Sequence, residues 1–405
     1  MEDMTVTVRG YDFAHVHSAL RRYVDADLLA GVSSAVLIGR ELADVHYVGW
    51  ADKEQGTPIR AEHLFRIFSN TKLITYCAAL LLFEEGRFAL DDPIERYIPQ
   101  LARRRVLKPG ATSLEDTEPA RGPITIRHLM SHSAGLSYGL FDPGTTIYRG
   151  YVERKVRDPN STLAEMIEAL VDLPLVFHPG TGWEYSVATD VIARLIEVIG
   201  GQRFDTFIRS RILDPLGMAD TGFVVPEEKR SLFAAYYAGA DLEDPMRPGL
   251  TRIDNVPYPE AYLRSFPRLN GGGGLVSSLP DMVSLVRSLQ PGGPTLLKPE
   301  TISMMMTNQL PNGVWVRFPG LGEFPGKGYG LAGAVTVTPG PLDPKHSTDE
   351  LEWGGMAGTH WWISPRLNLA GLLMTQRYMA FWHPFALEFK RLVYDAVDRP
   401  RSVAR

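Results

Sequence analysis

A single cysteine in 405 residues, Cys77, removes two classes of architecture at once. One thiol makes no intrachain disulfide and no thiolate metal cluster. Lying in the apolar run after Lys72, it reads as a buried structural thiol. Long apolar stretches are missing as well, since nothing approaches the ~20 residues that span a bilayer. Met1-Glu2-Asp3-Met4-Thr5 has neither the basic nor the apolar region of a secretory leader. The expected setting is cytoplasmic, with no membrane partner. Nor is there an excess of positive charge: 42 Lys and Arg stand against 47 Asp and Glu, a net −5. That gives no electrostatic reason to expect a nucleic-acid partner, and Arg103-Arg104-Arg105 reads as a solvated face or turn. No internal repeat is visible. What is present, 44% hydrophobic and 22% charged residues, suits a globular chain with a large core and either two lobes or a domain with a big insertion.

The periodicity divides the chain. Asp12 to Leu29 has Phe13, Val16, Leu20, Val24 and Leu28 spaced for one helix face. Ala35–Ile38 and Val45–Val48, joined by Gly39–Asp44, predict an antiparallel pair. The helix opening near Ser69 is apolar all round, the mark of a segment buried at the centre of a protein, and Gly86 suits its C-terminal stop. From about Leu90 to Pro267, helices (Thr162–Leu170, Ser186–Ile199) alternate with Pro/Gly loops. Leu107–Pro123 and Asp142–Asn160 read as long surface excursions. After Gly271–Gly274 strand signals return over Ala332–Val337, Glu350–Trp353, Thr359–Ile363 and Leu367–Met374, the last two joined by Ser364-Pro365-Arg366. A closing helix spans Pro384–Val397. The expectation is an α+β fold in which residues 1–90 and 268–405 form one antiparallel sheet domain flanked by helices. Residues 91–267 would then form a mostly helical domain.

Three short segments carry chemistry. Ser69-Asn70-Thr71-Lys72 puts a hydroxyl and an amine on one helix face, and a serine becomes a nucleophile when a neighbouring base takes its proton. A buried lysine with a lowered pKa can do that; the alternative is an N-cap serine followed by a solvated lysine. Tyr185-Ser186-Val187 follows the turn His178–Gly182 and opens a helix, where a tyrosine hydroxyl can point into a cleft and exchange protons, or simply pack. Trp353-Gly354-Gly355 ends a strand, and paired glycines there mean a close backbone approach or a bulge.

In this order the three segments resemble the serine β-lactamase and penicillin-binding-protein superfamily, most closely its esterase branch, the family VIII carboxylesterases. Ile126–Leu136, His178-Pro179-Gly180 and Gly273–Ser277 are similar to further recurring segments, so the likeness runs from about Gly31 to Thr375. The resemblance implies a β-lactamase/transpeptidase-like fold, Ser69 as nucleophile, Lys72 as its activator and Tyr185 as the proton relay. It also implies an oxyanion hole made by the backbone N–H groups of Ser69 and Met356. Substrate-pocket residues would be Trp353, Gly354, Gly355 and Val187. Two departures matter. β-Lactamases generally have Lys-Ser/Thr-Gly where this chain has Trp353-Gly354-Gly355, and Asn where it has Val187. An indole cannot pair with a substrate carboxylate, so neutral short-acyl esters are expected as substrates, without metal or cofactor and with β-lactam turnover slow at best. D-amino-acid peptidase, amidase, acyltransferase and non-catalytic binding readings remain as alternatives. The lobe Leu90–Pro267 and the loop Pro311–Lys327 are expected to shape the acyl and alcohol pockets.

Three motifs point elsewhere and are set aside. Gly135-Leu136-Ser137-Tyr138-Gly139 matches Gly-x-Ser-x-Gly but lacks the strand before it and the helix directly after it. His128 and His132 have the i,i+4 spacing of a zinc pair, without the glutamate or third ligand that such a site uses. Gly271–Gly274 lacks the Lys-Ser/Thr of a phosphate loop and reads as a glycine turn entering a helix.

Overall fold

The computed structural model describes residues 4–7 and 10–398; residues 1–3, part of the stretch that reads as lacking a leader, lie outside them. Its centre is a nine-stranded sheet. The strands of its main path are β1 (Met4–Thr7), β2 (Gly31–Ile38), β3 (Glu41–Asp52), β4 (Lys327–Tyr329), β5 (Ala334–Thr336), β6 (Leu351–Gly354), β7 (His360–Ser364) and β8 (Leu369–Thr375). Their order is β1-β3-β2-β8-β7-β6-β5-β4, antiparallel throughout, and Thr57–Pro58 adds to β3. The pairing of β2 with β8, Val32 opposite Thr375 and Ile38 opposite Leu369, joins the early strands to the late ones.

Why β8 is apolar from Leu369 through Met374 follows from this arrangement. A strand covered on both faces cannot alternate with polar residues. Leu369 and Leu373 face a cluster with Phe13 just before helix α1 (Ala14–Asp25), Val16 and Leu20 within it, and Phe385, Phe389 and Val393 from the closing helix. Ala370, Leu372 and Met374 face the larger core. That core holds α2 (Thr71–Glu84), α3 (Ala188–Gly200) and α4 (Leu279–Arg287); the closing helix is α5 (Pro384–Asp398). Helix α2 is buried from Thr71 through Leu80, as its lack of a polar face requires. Among the described residues no helix is long and apolar enough to cross a membrane. The α+β arrangement of sheet and flanking helices is therefore the one the sequence predicts.

Local differences have local causes. The turn between β2 and β3 is Gly39-Arg40 alone, because Gly39 adopts φ +60° and lets Glu41 pair with Ile38 at once. The stretch Asp142–Asn160 contains a helix, Thr146–Glu153, capped by Thr145. Gly150 hides it from a propensity reading; its missing side chain admits Leu114 and Leu173. The stretch Leu107–Pro123 is likewise partly ordered, with Arg105–Leu107 pairing Thr117–Pro119.

The strand carrying the tryptophan is anchored by buried charge. Lys390 on α5, with Glu350 fully buried, reaches Glu350 at 2.8 Å and Glu352 at 2.6 Å, and Tyr394 donates to Glu350 at 2.5 Å. Lys327 meets Glu352 from the other side at 2.5 Å. Burial and then Lys390 set Glu350, whose carboxyl is held above its ordinary range. Removing one partner of a buried pair strands the other charge. Lys390→Met is expected to destabilise the fold by about 3–5 kcal/mol, measured by denaturant unfolding. Adding Glu350→Gln should recover most of it; a loss below about 1 kcal/mol would show the network to be dispensable.

Candidate active site

Ser69 does not begin α2 but stands one turn earlier, in the tight helical turn Phe68–Asn70. Phe68 enters that turn with φ +40°, a costly conformation for a residue with a Cβ. Ring packing against Tyr236 at 5.8 Å and Tyr262 at 6.2 Å holds it there. Asn70 occupies the cap position of α2 without a side-chain capping bond, so the N-cap role considered for Ser69 does not apply. Nor is Lys72 solvated: it is 1% exposed.

The hydroxyl and the amine meet as the spacing predicts, and Tyr185 joins them. Tyr185 donates to Ser69 Oγ at 2.7 Å, and Lys72 Nζ lies 3.4 Å from the same oxygen. The ammonium donates to the Gly272 carbonyl at 2.6 Å and stands 4.7 Å from the centre of the Tyr185 ring. A Cβ at Gly272 would crowd both Asp190 and Lys72 Nζ, each at 3.2 Å. Burial pulls the Lys72 pKa down, but Tyr185, Tyr138 and Asp190 outweigh it and the net direction is up. A lowered lysine pKa, one way such an amine becomes a base, is not the direction these surroundings favour: Tyr185, Tyr138 and Asp190 favour the cation more than burial disfavours it. Asp190, on α3, accepts the Gly272 N–H at 3.3 Å, and burial pushes its carboxyl upward.

Tyr185 is set by His132. The His132 carbonyl accepts the Glu184 N–H at 3.0 Å, and its Nδ1 accepts the Ser186 N–H at 3.3 Å. Its Nε2 lies 3.2 Å from the Tyr76 hydroxyl. Burial first, then Lys72, holds this imidazole well below its usual pKa. His128 instead accepts the Thr125 N–H at 3.2 Å within a helix cap. The two imidazoles serve different local bonds, and among the described residues no group of His, Cys, Asp or Glu is placed to hold a metal.

Gly355 explains the paired glycines. A Cβ there would run into the Ile67 carbonyl and Thr359 Oγ1, so the end of β6 presses directly on the turn that carries Ser69. Gly354 lies against the His360 ring in the same way. Next along, the Met356 N–H, like that of Ser69, donates to no backbone carbonyl among the described residues. Trp353 is buried with its ring 5.3 Å from Tyr185. Val187 is packed into the core at the start of α3 rather than on an open wall.

Several contributors carried no signal that the sequence reading used. Asp190 and the Gly272 carbonyl are two. Tyr138 is a third: it stacks on Tyr185 at 5.4 Å, and Lys72 Nζ lies 5.7 Å from its ring. Its place just beyond the Ile126–Leu136 segment was the available clue. Ser137, one residue earlier, is buried with its Oγ unpartnered.

The chain as a whole is similar to known proteins. The family described as Beta-lactamase matches residues 16–381. Esterase EstB of Burkholderia gladioli is 32% identical over 361 residues, 85% of this chain and 86% of its own. Lovastatin esterase of Penicillium rubens is 32% identical over 334 residues, 78% and 80%. Among solved structures, EstCE1, described as a hydrolase with promiscuous acyltransferase activity, superposes with a TM-score of 0.79 at 25% identity, covering 94% of this chain and 97% of its own. A match of that extent, with relatives at that identity along most of their length, places the chain in the beta-lactamase family.

Proposed function

We propose that the protein is a serine carboxylesterase that hydrolyses short-acyl esters through an acyl group carried on Ser69. The observation that carries it is one oxygen, Ser69 Oγ, held at 2.7 Å by Tyr185 and 3.4 Å by Lys72. In this reading Tyr185, with the Lys72 amine beside it, relays the Ser69 proton away as Oγ bonds to the ester carbonyl carbon. The resulting oxyanion is held by the N–H groups of Ser69 and Met356, donors worth about 3–4 kcal/mol each in such sites. The ester C–O bond then breaks, Tyr185 returns its proton to the departing alkoxide, and an alcohol leaves. Water adds to the acyl carbon by the same route in reverse, releasing the carboxylic acid and Ser69. We read residues 1–90 with 268–405 as one domain supplying Ser69 and Trp353, and 91–267 as a second supplying Tyr185. The shared sheet built from early and late strands supports that division.

Esters are favoured over β-lactams and peptides because no lysine stands at Trp353 to pair a carboxylate, and the rings around Tyr185 leave an apolar surface. p-Nitrophenyl butyrate is expected to be cleaved with kcat/KM at least about a hundredfold above nitrocefin; the reverse order would overturn this. Acyl transfer to an alcohol in place of water is the second reading, supported by the described activity of EstCE1. Product analysis with and without added alcohols separates the two.

A further inference from the structure

The aromatic groups around Tyr185 are not evenly distributed, and one of them comes from a separate element. Phe318 sits in a two-stranded hairpin, Arg317–Phe318 against Gly322–Glu323, which pairs with no other strand among the described residues. Its ring lies 5.7 Å from Tyr185, 6.3 Å from Trp353, 5.6 Å from Trp183, 6.0 Å from Phe141 and 5.0 Å from Trp382. These rings form an aromatic cup against the Tyr185 ring, and Phe318, itself buried, is the wall that the hairpin supplies. The cup continues outward: Trp382, stacked on Phe324 at 5.2 Å, is 45% exposed, and Leu321 at the hairpin tip is 54% exposed. Polar attachment of the hairpin to this wall comes from Arg317, 3.3 Å from Glu184. Burial raises the Glu184 carboxyl to about 7, against the pull of Arg317.

Chemistry decides which half of an ester faces this cup. The proton that Tyr185 gives up goes to the leaving alkoxide, so the alcohol must lie against the Tyr185 hydroxyl. The acyl oxygen points the other way, toward the N–H groups of Ser69 and Met356. We propose that the cup receives the alcohol portion of the ester, that the preferred substrates are esters of bulky apolar or aromatic alcohols, and that Phe318 sets the size limit on that side. This rests on the assignment of Ser69 and Tyr185 above. Rings held by rings at 5–6 Å favour flat apolar groups, and the outward apolar rim gives a long alcohol somewhere to extend.

Two ester series test it. In one the acyl group is butyryl and the alcohol grows from methyl to benzyl to 2-naphthylmethyl; in the other the alcohol is benzyl and the acyl group grows from acetyl to hexanoyl. Phe318→Ala is expected to raise the 2-naphthylmethyl-to-methyl ratio of kcat/KM by at least about tenfold, and Phe318→Trp to lower it by a similar factor. The acyl profile should move less than about twofold, because the acyl chain extends from the carbonyl carbon on the side away from the leaving alcohol and from Phe318. Phe318→Leu, which keeps apolar volume, should give the same direction as alanine if the alanine variant fails to fold. A shift confined to the acyl series, or no shift in either, overturns the proposal. If Ser69→Ala abolishes turnover while Phe318 variants leave the alcohol ratio unmoved, only the cup assignment fails. If Ser69→Ala retains turnover, the site assignment itself fails.

Discussion

Ser69→Ala is expected to lower kcat for p-nitrophenyl butyrate by about 10⁴-fold or more, the scale seen when a nucleophile is removed from a set of residues that act together. Ser137→Ala, in the Gly-x-Ser-x-Gly match, should leave most activity. The contrast follows from what surrounds each hydroxyl. Ser69 Oγ is within hydrogen-bonding reach of a phenol and an ammonium. Ser137 Oγ is buried with no partner among the described residues. The nearest structured elements, the short helix Ile126–Met130 before it and Thr146–Glu153 after it, do not make the strand–turn–helix that a nucleophile elbow needs. Removing an unpaired buried hydroxyl costs little and can even stabilise. Stopped assays on both variants, with a fluorophosphonate label and intact mass to locate the adduct, read the difference. Loss on Ser137→Ala with retention on Ser69→Ala would reverse the assignment.

What could be read from the chain beforehand was chemistry written in side chains at fixed spacing. Ser69 with Lys72, Tyr185 at the mouth of a helix and Trp353-Gly354-Gly355 at the end of a strand carry their meaning in residue type. So does the continuous apolar run of β8, which only a doubly covered strand requires. What stayed hidden was supplied by backbone and by distance in sequence. The carbonyl that holds Lys72 belongs to Gly272, 200 positions away, and any residue has a carbonyl. The upward direction of the Lys72 pKa needs Tyr138, Tyr185 and Asp190 brought around it, which no spacing rule encodes. Phe318 lay within a loop, Pro311–Lys327, that was expected to shape a pocket but in which no individual position stood out. The helix Thr146–Glu153 was obscured by Gly150, where packing by Leu114 and Leu173 overrides a poor propensity.

Lys72→Met should lower kcat/KM for the same ester by about 10³–10⁴-fold, or about 4–5.5 kcal/mol of transition-state stabilisation. Methionine nearly matches the buried stem in volume, so the helix is retained. What goes is the charge beside the Tyr185 hydroxyl and Ser69 Oγ. The ammonium is held by the Gly272 carbonyl at 2.6 Å and faces the Tyr185 ring at 4.7 Å, which supports the proposal that lysine and tyrosine act as one proton relay. Tyr185→Phe should therefore cost a similar factor. The double variant should lose little more than either single one, because each removal already disables the shared function. Losses that multiply would mean two independent roles. Retention of a tenth or more of the activity in Lys72→Met would show that Ser69 is activated without the amine.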